Sequence, residues 1–211
     1  MLDNMKGAIF DLDGVIVDTA KYHFLAWKSL ANQLGFEFTE TDNERLKGVS
    51  RVESLRILLE IGGIEADERT FNEMAESKNK EYVASIAQLQ PEEILPGAKT
   101  YLQQLRSQGI KIALGSASKN AEFILSKLEI ADLFDAVIDG NKVAKAKPDP
   151  EVFISASSAL GLDPKDCVVF EDAEAGVQAG KASGSKVVGI GSPEILSEAD
   201  LVVPGLAALV K

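Results

Sequence analysis

The sequence predicts an α/β protein, a doubly wound and mainly parallel sheet core carrying an inserted α-helical cap. Three observations lead there. Short apolar runs alternate with amphipathic stretches along most of the chain. The alternation breaks once, for roughly seventy residues, a length too great for an ordinary connection. Acidic pairs end two of the apolar runs, where open α/β sheets bind ligands.

In chain order, the first run, Gly7 to Leu12, is apolar on both faces, as a buried parallel strand requires. From Thr19 to about Gln90 the periodicity is helical and no strand stands out. Phe24, Leu25, Trp27, Leu30, Ala31 and Leu34 recur at helical spacing, with Thr19 placed to cap the helix and Gly35 to stop it. This stretch is the expected cap, residues 17–89, which leaves residues 1–16 and 90–211 for the catalytic core. An insertion must leave and rejoin its host, so Val15 to Asp18 and Ala84 to Pro96 are the expected hinges. Strands are then expected at Lys111 to Gly115, Phe134 to Ile138, Cys167 to Phe170, Lys186 to Ile190 and Leu201 to Val203. Helices are expected at Lys99 to Gln108, Asn120 to Leu128, Pro150 to Leu160 and Ala173 to Ala182, several stopped by glycine. Strand–helix alternation of this kind makes a Rossmann-like sheet.

The bulk properties narrow the partners. A chain of 211 residues that is 45% hydrophobic and 26% charged is long and apolar enough for one good core with an insertion. Its formal charge of −11 repels polyanions, so neither nucleic acid nor an anionic membrane is expected as a partner. Cys167 is the one cysteine, which rules out an internal disulfide and fits a reducing cytoplasm. No apolar run approaches the length of a membrane span, and no signal-peptide pattern precedes Asp11. A cytoplasmic monomer acting on a small molecule is the expectation.

The chemistry concentrates at strand ends. Asp11 and Asp13 follow the first apolar run, and residues two apart on a strand share a face. Adjacent carboxylates repel, so their pKa values are expected to separate unless a cation or proton intervenes. A calcium loop is excluded, because Gly14 comes too early and Tyr22 stands where the bidentate Glu belongs. Glu171-Asp172 ends another run and faces Asp11 if the two strands are neighbours, which gives an all-oxygen ligand set of the kind Mg²⁺ takes. Ser116 closes a third run, and Ala117-Ser118-Lys119-Asn120 then opens a helix, so hydroxyls and backbone N–H groups can converge on an anion. Capping alone also explains these residues. Lys147 precedes Pro148 and the next helix, a mount for a positive charge.

The order Asp-x-Asp-Gly, Ser, Lys-Pro, Glu-Asp resembles the four motifs of the haloacid dehalogenase superfamily. That resemblance implies that Asp11 is the nucleophile forming an aspartyl-phosphate and that Asp13 is the general acid/base. It implies Mg²⁺ held by Asp11, the Asp13 carbonyl and Asp172 with Glu171 beside it, and a transferring phosphoryl group bound by Ser116 and Lys147. An acid two residues after the nucleophile marks phosphatases and phosphomutases instead of dehalogenases. Thr19 to Trp27, Leu46 to Arg51, Ser77 to Asn79 and Ser116 to Asn120 are similar to the matching segments of the superfamily's sugar phosphomutases. They imply interconversion of β-D-glucose 1-phosphate and β-D-glucose 6-phosphate through β-glucose 1,6-bisphosphate, with a sugar-phosphate phosphatase and a non-catalytic binding protein as alternatives. By the same resemblance Arg51 grips the distal phosphate with Ser118 and Asn120, while Lys47, Gly48, Val49 and Ser54 shape the sugar site. His23, Thr19 and Lys78 then position or gate Asp13. Trp27, four residues after His23 on the same helical face, is a substrate contact or core packing. Gly115 stands where the superfamily suggests alanine, and the chain after Val203 is short for a closing helix.

Overall fold

The computed structural model describes residues 2–46 and 49–211. Six parallel strands form one sheet in the order β3-β2-β1-β4-β5-β6, where β1 is Gly7–Phe10, β2 Lys111–Gly115, β3 Ala136–Ile138, β4 Cys167–Glu171, β5 Lys186–Ile190 and β6 Leu201–Val203. β1 therefore lies at the centre, with β2 and β3 wound to one side and β4 to β6 to the other. The crevice where the winding reverses is where such sheets bind ligands. Helices α5 (Ala98–Ser107), α6 (Ala121–Lys127), α7 (Glu151–Ala159) and α8 (Glu174–Ser183) make the crossovers. The doubly wound α/β class is the one expected.

Burial on both faces explains the apolar runs. Every residue of β1 and β4 is buried. On one face Ala8, Phe10, Ile112, Leu114, Val168 and Phe170 join one apolar cluster, with the Phe10 and Phe170 rings stacked at 4.5 Å. On the other, Ile9, Ala113, Val169 and Val187 pack against Val152, Phe153 and Val177 of α7 and α8. Gly115 has a packing reason: a Cβ there would lie 2.9 Å from the Phe153 ring and 3.2 Å from Ile9.

The helical interruption comprises α1 (Ala20–Gln33), α2 (Glu40–Asn43), α3 (Arg51–Gly62) and α4 (Glu68–Ile86). Trp27, Leu30, Phe38, Leu55 and Leu58 give it an apolar cluster of its own. Ser50 and Asp67 cap α3 and α4 through their side chains, and Gly63 ends α3 at φ 62°. The far end of α4 leaves this cluster, since Tyr82 and Ile86 pack in the sheet cluster with Leu12, Val15, Ile16 and Val17. Where the chain leaves and rejoins the sheet its two arms are tied, Val17 bridging Ile94 and Leu95 N–H donating to Ile16 O at 2.9 Å.

Several local expectations are corrected. Thr19 occupies the N-cap position of α1 but makes no capping bond, because its backbone is helical, with ψ near −4°, where a capping residue is extended. Leu25 faces solvent at 59% exposure, since the buried stripe of α1 runs through Ala26, Trp27, Leu30 and Ala31. β1 stops at Phe10, so Asp11 and Asp13 stand on a turn, not on one strand face. Leu12 O accepts from Ile16 and Val17 N–H, and Gly14 at φ 75° lets the chain reverse. β3 begins at Ala136 instead of Phe134, after a 3₁₀ turn over Ala131–Leu133. Past Val203 only a 3₁₀ turn, Leu206–Leu209, follows. Among the described residues no helix is long and apolar enough to cross a membrane.

Candidate active site

Sheet order assembles the acidic residues. Phe10 pairs with Phe170, and Asp11 N–H donates to Phe170 O at 2.9 Å, which puts the turn after β1 beside the end of β4. Asp11, Glu171 and Asp172 each present an oxygen, all within 4.8 Å of one another. Lys147 Nζ reaches in from the loop before α7 and donates at 2.6 Å to both Asp11 Oδ1 and Glu171 Oε1. The second Glu171 oxygen accepts from Ala173 N–H at 2.9 Å. Two glycines make room for the carboxylates, because a Cβ at Gly14 would collide with Asp172 and one at Gly176 with Glu171.

Electrostatically this floor is overfilled with negative charge. Burial works against the Lys147 ammonium, but the Asp11 and Glu171 carboxylates prevail and hold its pKa above the ordinary lysine range. Burial raises Glu171 despite Lys147, and burial with the charges of Glu171, Asp11 and Asp13 raises Asp172 well above its usual value. Keeping all three carboxylates ionised takes more positive charge than one ammonium supplies. The remaining charge and the all-oxygen donor set fit a bound divalent cation of the Mg²⁺ type.

Asp13 stands apart. Its carboxylate does not join the three-oxygen group, its Oδ1 is buried without a partner, and burial together with the Asp11 charge raises its pKa to about 8. Burial and the Asp11 charge thus favour its protonated form.

Ser116 to Asn120 form the next wall. Ser116 Oγ accepts from Ser118 N–H at 3.1 Å, and Ser118 Oγ accepts from Asn120 N–H at 3.2 Å. The expected simple cap is corrected here: Asn120 holds the N-cap position of α6 without a side-chain bond, and the serines shape the loop ahead of it. Gly140 N–H donates to Ser118 O at 3.1 Å and Asn141 Nδ2 to Lys119 O at 2.9 Å, bracing the loop from behind.

The helical insertion supplies the roof. His23 and Trp27 from α1, Val49 from the bend before α3, Arg51 and Ser54 at the start of α3, and Lys78 from α4 line a cavity of about 630 Å³ with Asp11, Asp13, the 116–120 loop, Lys147 and Asp172. Burial, then the Lys78 charge, drives the His23 pKa well down, so its ring is neutral. Lys78 Nζ lies 2.8 Å from His23 Nδ1, and a protonated Lys78 donates to it, leaving the ring proton on Nε2. Burial and Arg51 lower the Lys78 pKa to about 7, and its head lies 4.2 Å from the Trp27 ring centroid.

Two of the expected residues are not on the wall. Thr19 is fully buried below it, and Glu171 lies behind Lys147. Lys47 and Gly48 fall outside the described residues. The cavity also has members that sequence reasoning missed. Asn79 accepts from Asn120 Nδ2 at 3.2 Å, a side-chain bond from roof to floor, and Asp18, Asn43 and Val143 line the space too. Asn79 follows Lys78 directly, so adjacency in the Ser77-Lys78-Asn79 segment was the available signal.

The profile of the haloacid dehalogenase-like hydrolases matches residues 5–184. The chain belongs to that family. Within it, this haloacid dehalogenase-like hydrolase is 48% identical over 201 residues to the β-phosphoglucomutase of Bacillus subtilis strain 168, across 94% of this chain and 89% of that protein. It is 31% identical to a phosphorylated carbohydrates phosphatase of Thermotoga maritima, covering 98% and 94% of the two chains. The crystal structure of β-phosphoglucomutase from Clostridium difficile superposes with a TM-score of 0.94 at 42% identity, covering 97% of this hydrolase and 93% of that chain.

Proposed function

We propose that this hydrolase-family protein is a β-phosphoglucomutase, interconverting β-D-glucose 1-phosphate and β-D-glucose 6-phosphate through β-glucose 1,6-bisphosphate. One observation carries the assignment: the Asp11–Lys147–Glu171 clamp at the sheet's switch point faces a roof that presents Arg51 and Lys78. Residues 17–89 act as the cap and residues 1–16 and 90–211 as the catalytic core of a cytoplasmic monomer. The Asp11 carboxylate attacks phosphorus, forming a P–O bond to Asp11 as the bond to the donor sugar oxygen breaks. Protonated Asp13 gives its proton to that leaving oxygen and later takes one from the accepting hydroxyl. Lys147 and the Ser116 to Lys119 loop hold the phosphoryl oxygens. A Mg²⁺ on Asp11, Asp172 and the Asp13 carbonyl, with Glu171 beside it, would neutralise charge as the phosphoryl group passes.

A mutase must hold the sugar twice, once by each phosphate, while water is kept out. Arg51, Ser118 and Asn120 serve as the distal phosphate clamp, a planar guanidinium being suited to that contact. Val49, Ser54, His23 and Trp27 enclose the sugar. Phosphatase action on the same sugars is the second possibility, favoured by the T. maritima relative's name. The test supplies β-glucose 1-phosphate, Mg²⁺ and a trace of the bisphosphate, and follows glucose 6-phosphate against free phosphate. Glucose 6-phosphate in large excess is expected, and phosphate release outpacing it defeats the mutase assignment. Arg51→Ala should lower mutase kcat/KM by roughly a hundredfold, the size of a charge-assisted contact. Hydrolysis of a small aryl phosphate, which has no second phosphate to grip, should be nearly spared.

A further inference from the structure

Side chains tie the helical insertion to the sheet core at its hinge and again across the cavity. At the hinge Lys21 Nζ and Tyr22 Oη both donate to Glu93 at 2.7 Å. Across the cavity Asn120 Nδ2 donates to Asn79 Oδ1 of α4 at 3.2 Å, a contact between residues 41 positions apart. An asparagine at an N-cap position ordinarily turns its side-chain oxygen onto the unpaired N–H groups of its own helix. Asn120 holds that position in α6 with ψ near 13° and makes no such bond, which leaves its carboxamide free to face α4. Both asparagines are half-buried and line the cavity with Arg51 and Ser118.

A carboxamide has a donor end and an acceptor end of nearly the same shape, so hydrogen bonds, not packing, fix which end lies where. On a wall that meets an anion the choice matters, because an anion accepts from N–H and is repelled by C=O. Asn79 decides it for Asn120: its oxygen holds the Asn120 nitrogen on the cavity side, with one N–H spent on the bond and a second left to donate. Ser118 is arranged alike, since its Oγ accepts from the Asn120 backbone N–H and keeps its own O–H for donation. A carboxylate at position 79 would accept equally well but would set a negative charge beside the bound anion. We propose that Asn79 is a positioning residue for the distal phosphate of the sugar, keeping the donor end of Asn120 turned to that phosphate alongside Ser118 and Arg51.

This rests on the distal clamp assigned above, and the experiment separates the two. β-Glucose 1,6-bisphosphate and phenyl phosphate, which has no distal phosphate, are titrated calorimetrically with Mg²⁺ into the full-length Asp11→Asn protein, which lacks the nucleophile. Adding Asn79→Ala should weaken the bisphosphate about tenfold, the size of one hydrogen bond to a charged group. The phenyl phosphate Kd should change by less than about twofold, since that ligand makes no use of Asn120. Tm should stay within about 2 °C of the parent, because alanine is the better helix former and the amide pair is only half-buried. Asn120→Ala should weaken the bisphosphate at least as much, and Asn79→Ala should cost nothing further in its presence, because Asn79 acts through Asn120. An unchanged bisphosphate Kd in Asn79→Ala would overturn the proposal, as would equal weakening of both ligands or losses that multiply in the double variant. If Asn120→Ala leaves the bisphosphate affinity intact, the distal clamp itself is wrong and the proposal falls with it. If the wild type makes no glucose 6-phosphate, the mutase assignment alone fails, because these Kd values do not depend on what accepts the phosphoryl group.

Discussion

The floor and the roof of the cavity handle charge in opposite ways. On the floor, Lys147 is fully buried yet stays charged, because Asp11 and Glu171 each lie 2.6 Å from it. In the roof, Lys78 is just as deeply buried but meets His23 and two aromatic faces instead of a carboxylate, and its charge is correspondingly disfavoured. The Lys147 pairs of the floor are already made without a ligand. A roof that presents Arg51 and Lys78 to the cavity offers its positive charge to an anion.

The largest test of this contrast removes the nucleophile. Asp11→Asn should abolish turnover, by about four orders of magnitude or more, with no phosphoryl-enzyme detected by intact mass after mixing with bisphosphate. Turnover near the wild-type rate would show that the floor is scaffolding. Next, Lys147→Met breaks both floor pairs and leaves three carboxylates facing one another. A stability loss of about 3–5 kcal/mol, or a Tm lower by roughly 10 °C, is expected, with part of it restored by millimolar Mg²⁺. A Tm that neither drops nor responds to Mg²⁺ would mean that the floor charges are not mutually dependent.

The smallest effect belongs to the roof. Lys78 has a folded pKa of about 7 against an ordinary 10.5, so between those values the unfolded chain holds a proton that the folded one has released. Its burden on stability is therefore full below about pH 7 and disappears as pH rises toward 10.5. Lys78→Met should raise Tm by a few degrees at pH 7, and the gain should shrink steadily toward pH 10. A gain independent of pH would show that packing, not charge, is what the substitution relieves.

How much of this was legible in the chain differs between the same two regions. The acidic and hydroxyl motifs were readable because each sits at the end of an apolar run, and strand ends in a doubly wound sheet converge on one edge, while Lys147 was readable from the proline and helix that follow it. The roof was legible as helix but not as contacts. Helical periodicity placed His23 and Trp27 on one face, yet gave no sign that Lys78 would dock on that face or that Asn79 would reach Asn120. Thr19 was read as a helix cap from its residue type, and a helical backbone angle denied it that role.

The sequence by itself determined the strand and helix order, the helical interruption, the acidic and hydroxyl motifs at strand ends and the lysine motif ahead of a helix. These follow from local periodicity and from what single residue types can do chemically. Only the tertiary structure decided which carboxylates Lys147 pairs with and that Asp13 stands apart from the three-oxygen group. Lys147 and Asp11 are 136 positions apart and Lys78 and His23 are 55 apart. Partners at such separations are set by the order of strands and the path of the insertion, which no local pattern encodes.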